Sequence, residues 1–158
     1  MRKLTINEGF FSLRTARFFP NLTDLIISCK LTPDRTDEIS DQLLQKVKHL
    51  EISQIKDADF QRQQSLLKRL ETAPCLLELT IDMGRHVQGG EMLESLIRET
   101  KTIKKLTVTN IQLMSSADHH KVGQKNCYVN KSRYNNAIGF LASLSDNKTI
   151  ESLSLHFS

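Results

Sequence analysis

The stretch that decides the fold is residues 102–111, which read Thr-Ile-Lys-Lys-Leu-Thr-Val-Thr-Asn-Ile. Its apolar residues follow the frame apolar-x-x-Leu-x-apolar, in which Ile103, Leu106 and Val108 take the three apolar positions. Apolar and polar residues alternate around Leu106. This alternation is typical of a strand with one buried face, because successive side chains of a strand point to opposite sides. We therefore predict a strand over residues 102–109.

The same frame occurs at four other places and, in shortened form, at the start of the chain. Its central leucines are Leu4, Leu25, Leu50, Leu79, Leu106 and Leu153. Four of the five steps between them are 21 to 29 residues long, and the last step, of 47 residues, has room for one repeat and an insertion. Self-similarity at this period is typical of repeat proteins. The further strands are predicted over residues 1–8, 22–28, 47–53, 76–82 and 150–157.

This pattern resembles the leucine-rich repeat family in its long, ribonuclease-inhibitor-like variety. The resemblance implies an α/β solenoid, a horseshoe of five to six irregular repeats with parallel strands on the concave face and helices on the convex face. It covers residues 1–158, which we interpret as a single leucine-rich repeat domain from a longer protein, with an insertion loop at residues 112–133. The asparagine or cysteine that usually follows the strand has counterparts at Cys29 and Asn110, whereas Gln54 and Met83 stand at the corresponding places elsewhere.

A doubly wound α/β fold is the main alternative. Helices would then cover both faces of the sheet, and the strands would read as almost continuous apolar runs. Polar residues interrupt the strands instead, as Glu51, Thr80, Thr107 and Ser154 show. No glycine-rich phosphate loop follows any strand, which also disfavours a nucleotide-binding fold of this type. The sequence therefore favours a sheet with one polar face.

Helical segments are predicted between the strands. The predicted segments are a short helical turn within residues 9–19, a helix over 34–46, and a helix that is capped by Asp57 or Asp59 and ends before Pro74. A fourth helix contains residues 92–97, and a fifth covers 134–144. Alternating strands and helices require parallel strands with helical crossovers.

Composition excludes few classes of function. The chain has 22 basic and 18 acidic residues and a net charge of +4, which is only mildly basic. No apolar run is long enough to span a membrane, and the first residues lack the apolar core of a secretory signal. Three widely spaced cysteines do not suggest a disulfide framework, so we expect reduced thiols and a cytoplasmic location.

The outward-pointing strand residues are predicted to form one polar surface. In the family that the chain resembles, the concave face binds partners, so we expect a protein partner here. The predicted site consists of Lys48, His49, Glu51, Leu77, Glu78, Thr80, Lys104, Lys105, Thr107, Glu151 and Ser154. Other outward positions are Arg2, Lys3, Thr5, Thr23, Asp24, Ile26, Ser28, Ser53, Asp82, Thr109, Ser152 and His156. Leu77 and Ile26 are apolar among polar residues, which suits contact with a protein.

Residues 112–133 lie outside the repeat frame and show no helical periodicity. Their basic side chains form a possible second site, composed of His119, His120, Lys121, Lys125, Lys131 and Arg133. Such a loop suits nucleic acid or an acidic protein, although a solvated loop without a ligand is the simpler interpretation. Adjacent histidines with the distant Cys127 do not fit a compact zinc site, so no metal or cofactor is expected. The histidines have no serine or carboxylate at motif spacing, so we expect no enzyme activity.

Residues 147–155, Asn-Lys-Thr-Ile-Glu-Ser-Leu-Ser-Leu, carry a second resemblance. They are similar to the helix-to-strand passages in the repeat regions of nucleotide-binding leucine-rich-repeat (NLR) immune sensors. This implies a non-enzymatic, ligand-sensing or autoinhibitory segment of a cytosolic innate immune receptor, with further repeats or another domain covering the C-terminal end. Substrate-recognition repeats of an F-box-type ubiquitin ligase and a bacterial effector stay open as alternatives. An RNA-binding module that uses Lys101, Lys104, Lys105 and the basic insertion is the alternative from another class.

Overall fold

The chain is an α/β protein built on one parallel β-sheet. The computed structural model describes residues 1–7, 13–31, 36–55, 60–83, 90–111 and 142–157. The strands are β1 (Lys3–Ile6), β2 (Asp24–Leu31), β3 (His49–Ile55), β4 (Glu78–Asp82), β5 (Lys105–Ile111) and β6 (Ser152–Phe157). They lie in the sheet in chain order, and each is parallel to its neighbours. All six predicted strands are confirmed, although each begins two or three residues later than the pattern indicated.

The six central leucines lie side by side across the sheet. Leu4 pairs with Leu25, Leu25 with Leu50, and the ladder continues through Leu79 and Leu106 to Leu153. A slip of one residue in any strand would move its leucine to the opposite face of the sheet. The common register therefore keeps every central leucine on one side.

The regular pairing is interrupted near the end of two strands. Register shifts follow Ile27 in β2 and Val108 in β5. The second shift contains Asn110, whose φ of 56° lies in the left-handed region that asparagine tolerates better than most residues. The Asn110 Nδ2 donates to both carboxylate oxygens of Asp82 at 2.9 and 2.8 Å. This side chain therefore links the ends of β4 and β5.

Helices precede several of the strands. They are α1 (Leu13–Ala16), α2 (Asp41–Leu44), α3 (Phe60–Glu71) and α4 (Gly90–Glu99), and residues 142–146 are also helical. The turn before Pro20, the helix before Pro74 and the helix over residues 92–97 are confirmed. The proposed caps Asp57 and Asp59, most of the 134–144 helix, and the 112–133 insertion lie outside the described residues.

The helix predicted over residues 34–46 is wrong in its extent. Among the described residues 36–46, Thr36 is helical, residues 37–40 are not, and helix resumes in the single-turn helix α2, which follows Ser40 in an extended conformation with φ −77° and ψ 156°. The Ser40 Oγ accepts a hydrogen bond from the Leu43 backbone N–H at 3.3 Å. A serine in this position caps the start of a helix, so the residues before it do not continue the same helix. Ile39, Leu43 and Leu44 are nevertheless buried, as their spacing predicted.

The hydrophobic core lies on one side of the sheet. In β1, β3, β4 and the start of β5, buried residues alternate with exposed or partly exposed ones. The buried strand residues pack in one cluster with helix residues that include Leu66, Leu70, Leu93 and Leu96. Among the described strand residues, burial is confined to one face of the sheet, which disfavours the doubly wound alternative. At β6 the cluster is less complete, because Leu153 and Leu155 are only partly buried.

A lysine binds the end of the first helical segment. The Lys46 Nζ donates to the carbonyl oxygens of Ala16, Arg17 and Phe19 at 3.4, 2.9 and 2.7 Å. Carbonyl groups at the end of a helix lack partners within the helix, and a cation there satisfies them and interacts favourably with the helix dipole. Burial lowers the pKa of the Lys46 ammonium from its ordinary value. Lys46 therefore has a structural role.

Two other loops are held in a similar way. The Thr102 Oγ1 donates to the Ala73 carbonyl at 2.9 Å. The Asn147 Nδ2 donates to the carbonyl oxygens of Ile97 and Thr100 at 2.6 and 3.2 Å. The Asn147 Oδ1 also accepts from the backbone N–H groups of residues 149 and 150, each at 2.7 Å. One asparagine thus joins the end of α4 to the loop that leads into β6.

Cys29 is buried and Cys75 is partly buried, and neither is in a disulfide bond. The described part of the chain has no group of three or more histidine, cysteine, aspartate or glutamate side chains that could hold a metal ion. None of the helices in that part is both long and apolar enough to cross a membrane.

The first testable prediction concerns the leucine ladder. Leu79→Ala and Leu106→Ala should each lower the free energy of unfolding by about 2–5 kcal/mol, because both side chains are buried and their truncation leaves cavities. Chemical denaturation measures this loss. Leu153→Ala is the matched control: it has the same register but partial burial, so its loss should be smaller. Losses below about 1 kcal/mol at both buried sites would contradict this packing.

The second prediction concerns Asn147. Asn147→Ala should lower the free energy of unfolding by about 1–3 kcal/mol, because it leaves backbone groups of two loops without their partner. Its exposed neighbour Lys148 is the control, and Lys148→Ala should change stability by less than about 0.5 kcal/mol. Equal losses for the two variants would show that Asn147 does not hold the loops together.

Candidate functional site

Five ionisable residues form a row across the sheet face that points away from the helices, which we call the open face. This charged row consists of Lys3, Asp24, His49, Glu78 and Lys105, and neighbouring members are paired in register. Each member stands immediately before a central leucine. Because adjacent residues of a strand point to opposite faces, burial of the leucines directs these side chains outward.

His49 lies at the centre of the charged row, between two carboxylates. Its Nδ1 is 2.5 Å from the Asp24 Oδ1, and its Nε2 is 3.7 Å from the Glu78 Oε1. The other Glu78 oxygen, Oε2, lies 3.6 Å from the Lys105 Nζ. Contacts between side chains therefore run from β2 to β5.

These ion pairs are accessible to solvent. The exposed fractions of the side chains are 44% for His49, 47% for Glu78 and 56% for Lys105. Ion pairs at such exposure contribute about 0–1 kcal/mol to stability, since water screens both charges. The charged row therefore adds little to the fold, and its charges are available to a binding partner.

Asp24 is the member of the charged row with the most side-chain hydrogen bonds. The Thr23 Oγ1 donates to the Asp24 Oδ2, and His49 contacts the other carboxylate oxygen. These two hydrogen bonds lower the pKa of Asp24 below its ordinary value of 3.8, and electrostatic interactions with His49 and Lys3 act in the same direction. Asp24 therefore stays ionised to lower pH than an isolated aspartate.

A shallow depression of about 230 Å³ lies over the charged row. It is lined by Lys3, Asp24, Leu25, Ile26, His49, Leu50, Glu51, Glu78 and Thr80. Ile26 is partly exposed here, in accord with its outward position in the sequence. The depression combines charges of both signs with a small apolar area, a composition that suits a protein surface better than a single small anion or cation.

The residues immediately before the strands form a second row, along the edge of the sheet at which the parallel strands begin. This amino-terminal rim consists of Arg2, Thr23, Lys48, Leu77, Lys104 and Glu151. Backbone carbonyl groups of the rim each accept two hydrogen bonds from the neighbouring segment. The Lys48 carbonyl, for example, accepts from the backbone N–H groups of residues 77 and 78 at 2.8 and 3.0 Å. The Lys104 Nζ also lies 2.8 Å from the Glu151 Oε1.

The structure distributes the eleven predicted site residues over three rows. His49, Glu78 and Lys105 belong to the charged row, and Lys48, Leu77, Lys104 and Glu151 belong to the amino-terminal rim. Glu51, Thr80, Thr107 and Ser154 form a third row, two residues further along the strands. All eleven are exposed or partly exposed. The basic loop residues His119, His120, Lys121, Lys125, Lys131 and Arg133 lie outside the described residues.

Two of the histidines contact side chains that no sequence motif indicated. His49 contacts Asp24 and Glu78, which are 25 and 29 positions away and are absent from local motif spacing. His156 Nε2 lies 3.0 Å from the Ser154 Oγ, both on the exposed side of β6. The repeat frame could have indicated the contacts of His49, because Asp24, His49 and Glu78 each stand one position before a central leucine. The contact between Ser154 and His156 follows from the two-residue period of a strand.

The third prediction concerns pH and Asp24. Because folding depresses its pKa, Asp24 adds stability above pH 3.8, and this contribution is lost as pH falls through the lower pKa of the folded state. Asp24→Asn should therefore be less stable than the unmodified chain at neutral pH, with a difference that shrinks below pH 3.8. Denaturation curves of both proteins across this range measure the effect. A difference independent of pH would exclude the ionised carboxylate as its source.

No protein-family model matches this chain, and no curated protein matches it significantly. Its function is therefore inferred from the geometry of the charged row and the amino-terminal rim.

Proposed function

We propose that this chain is a non-enzymatic binding module that recognises a protein partner through its open face. The observation that carries the proposal is the charged row, in which residues of both signs are aligned across five strands. A row in which basic side chains and carboxylates stand at fixed positions presents a pattern that a partner with the complementary pattern can match. Such complementarity raises the association rate and the specificity of a protein complex.

Apolar residues next to the charged row support a protein partner. Ile26 lines the depression, and Leu77 is partly exposed on the rim beside Glu78. Protein interfaces combine apolar contacts with polar groups that fix orientation. A phosphate backbone is a poorer match to the charged row, because Asp24 and Glu78 would oppose it. Protein is therefore the partner class that this face favours.

The finer description of the fold is part of the proposal: a leucine-rich repeat solenoid of the ribonuclease-inhibitor-like variety. Three features support it. The central leucines share one register, the parallel strands follow one another in chain order, and only one sheet face is buried. The open face would then be the concave surface of a horseshoe.

The biological setting is proposed from residues 147–155, which are similar to repeats of NLR immune sensors. A ligand-sensing or autoinhibitory segment of a cytosolic receptor would require a surface that exchanges partners. The weak, exposed ion pairs of the charged row suit such exchange, since a partner displaces them at little cost in stability. Identification of the partner decides between this setting, an F-box-type ubiquitin ligase and a bacterial effector.

The fourth prediction tests the open face by reversing an ion pair. Glu78→Lys with Lys105→Glu keeps a pair of opposite charge at this place but reverses its direction and puts a lysine beside His49. Binding to the protein partner should weaken at least tenfold, or about 1.4 kcal/mol. The melting temperature should change by only a few degrees, since these pairs are exposed. The partner is recovered by comparing proteins captured by the unmodified chain and by the variant, and its affinity is then measured for both.

The matched control reverses an ion pair on a helix. Arg98 and Glu99 are paired at 3.1 Å on α4, with exposed fractions of 55% and 49%. Arg98→Glu with Glu99→Arg changes the same number of charges away from the open face and should leave affinity unchanged. If the folded Glu78/Lys105 variant also binds with unchanged affinity, the partner does not use the charged row.

A further inference from the structure

The loops that lead into the strands concentrate the net positive charge of the chain along the edge of the sheet at which the strands begin. These loops are residues 1–2, 17–23, 45–48, 72–77, 100–104 and 147–151. Their cations are Arg2, Arg17, Lys46, Lys48, Lys101, Lys104 and Lys148, and their one carboxylate side chain is that of Glu151. The remaining residues contain 15 basic and 17 acidic side chains. The edge therefore has a net charge of +6, whereas the rest of the chain is slightly negative.

Helix ends explain only part of this charge. Lys46 is used by carbonyl groups of the first helical segment, and Lys104 is paired with Glu151. Among the described residues, by contrast, four of the cations form no ion pair: Arg2, Lys48, Lys101 and Lys148. Two of them, Arg2 and Lys48, line a cleft. Unpaired cations in a row attract an extended anion, because each phosphate or carboxylate then meets its own cation.

A cleft lies at the Arg2 end of this edge. It has a volume of about 670 Å³ and is lined by Met1, Arg2, Pro20, Asn21, Leu22, Thr23, Lys46, Lys48 and His49. In the amino-terminal rim, Arg2 precedes β1 and Lys48 precedes β3, and β2 lies between these two strands. The backbones of Arg2 and Lys48 are therefore about 10 Å apart. The two side chains therefore frame the cleft with positive charge.

An exposed aromatic ring precedes the cleft residues 20–23 in the chain. Phe18 is 68% exposed, and it lies two residues before Pro20, which lines the cleft. The Arg17 guanidinium lies 4.7 Å from the centroid of the Phe18 ring. A cation over a ring face is a favourable contact that restrains the ring. Most of the ring remains accessible to a further flat group.

We propose that this cleft binds single-stranded nucleic acid, with phosphates at Arg2 and Lys48 and a base stacked on Phe18. Proteins that bind single strands combine a basic groove along the backbone with aromatic rings that stack on bases. An acidic protein segment would also meet the cations, but it would gain little from an exposed phenylalanine. The cleft adjoins the charged row at His49, but Arg2, Lys48 and Phe18 lie outside that row, so the test does not depend on the proposed protein partner.

The test measures binding of a labelled oligouridylate to the full chain by fluorescence anisotropy over a series of salt concentrations. For Arg2→Gln with Lys48→Gln, the slope of log affinity against log salt should become less steep by about 1.4, or 0.7 for each lost phosphate contact. Phe18→Ala should weaken binding between about fivefold and a hundredfold, the range of one base stack. Phe18→Tyr should keep most of the affinity, because tyrosine also stacks.

Matched controls separate this site from general attraction to positive charge. Arg14→Gln with Arg98→Gln removes two exposed cations that do not line the cleft, so the salt slope should stay as steep as in the unmodified chain. Duplex RNA should compete poorly, because its bases cannot stack on Phe18. The substituted side chains are exposed, and melting curves of each variant check that the fold is retained.

Three results would overturn the proposal. One is no binding of the oligouridylate by the unmodified chain at low salt. Another is an equal decrease in slope for the control and the cleft variants. The third is competition by polyglutamate as effective as by the oligouridylate, with no effect of Phe18→Ala, which would assign the cleft to an acidic protein segment.

Discussion

Parallel pairing of six strands in one common register is the constraint on which the rest of the structure depends. The register places the central leucines next to one another in the core, so it also decides which residues reach the open face. The residue before each leucine must point away from the core. The charged row is therefore a direct consequence of the same pairing that buries the leucines. A change of register in one strand would disrupt the core and the candidate site together.

The same arrangement separates the surface into two parts with different electrostatics. On the open face, Asp24 and Glu78 alternate with Lys3, His49 and Lys105, so the charges largely compensate one another. At the amino-terminal edge, lysines and arginines dominate, and four of them have no ionic partner among the described residues. Compensated charge suits selective recognition of a protein surface, whereas an uncompensated row attracts polyanions. One sheet can thus present two binding surfaces, which adjoin at His49.

Side chains that bind backbone groups hold the loops at this basic edge. Lys46 and Asn147 each connect a loop before a strand to the carbonyl groups at the end of a preceding helical segment, and Thr102 makes the corresponding contact with residue 73. Buried carbonyl groups without partners would destabilise the fold. These links position the loop residues next to them, including Lys48, Lys104 and Lys148. Structural contacts and the candidate nucleic-acid site therefore share the same loops.

The sequence by itself determined the six strands, the leucine ladder and the outward direction of the predicted site residues, because the two-residue period of a strand is a local property. Aligned on the leucines, it also contained the order of the charged row. Only the tertiary structure decided the side-chain contacts of His49, the partners of Asn147 and Lys46, and the cleft between Arg2 and Lys48. These features join residues more than 20 positions apart, so no local pattern specifies their distances. The start of α2 depended on Ser40, because its tertiary surroundings decide whether this serine caps a helix or lies within one.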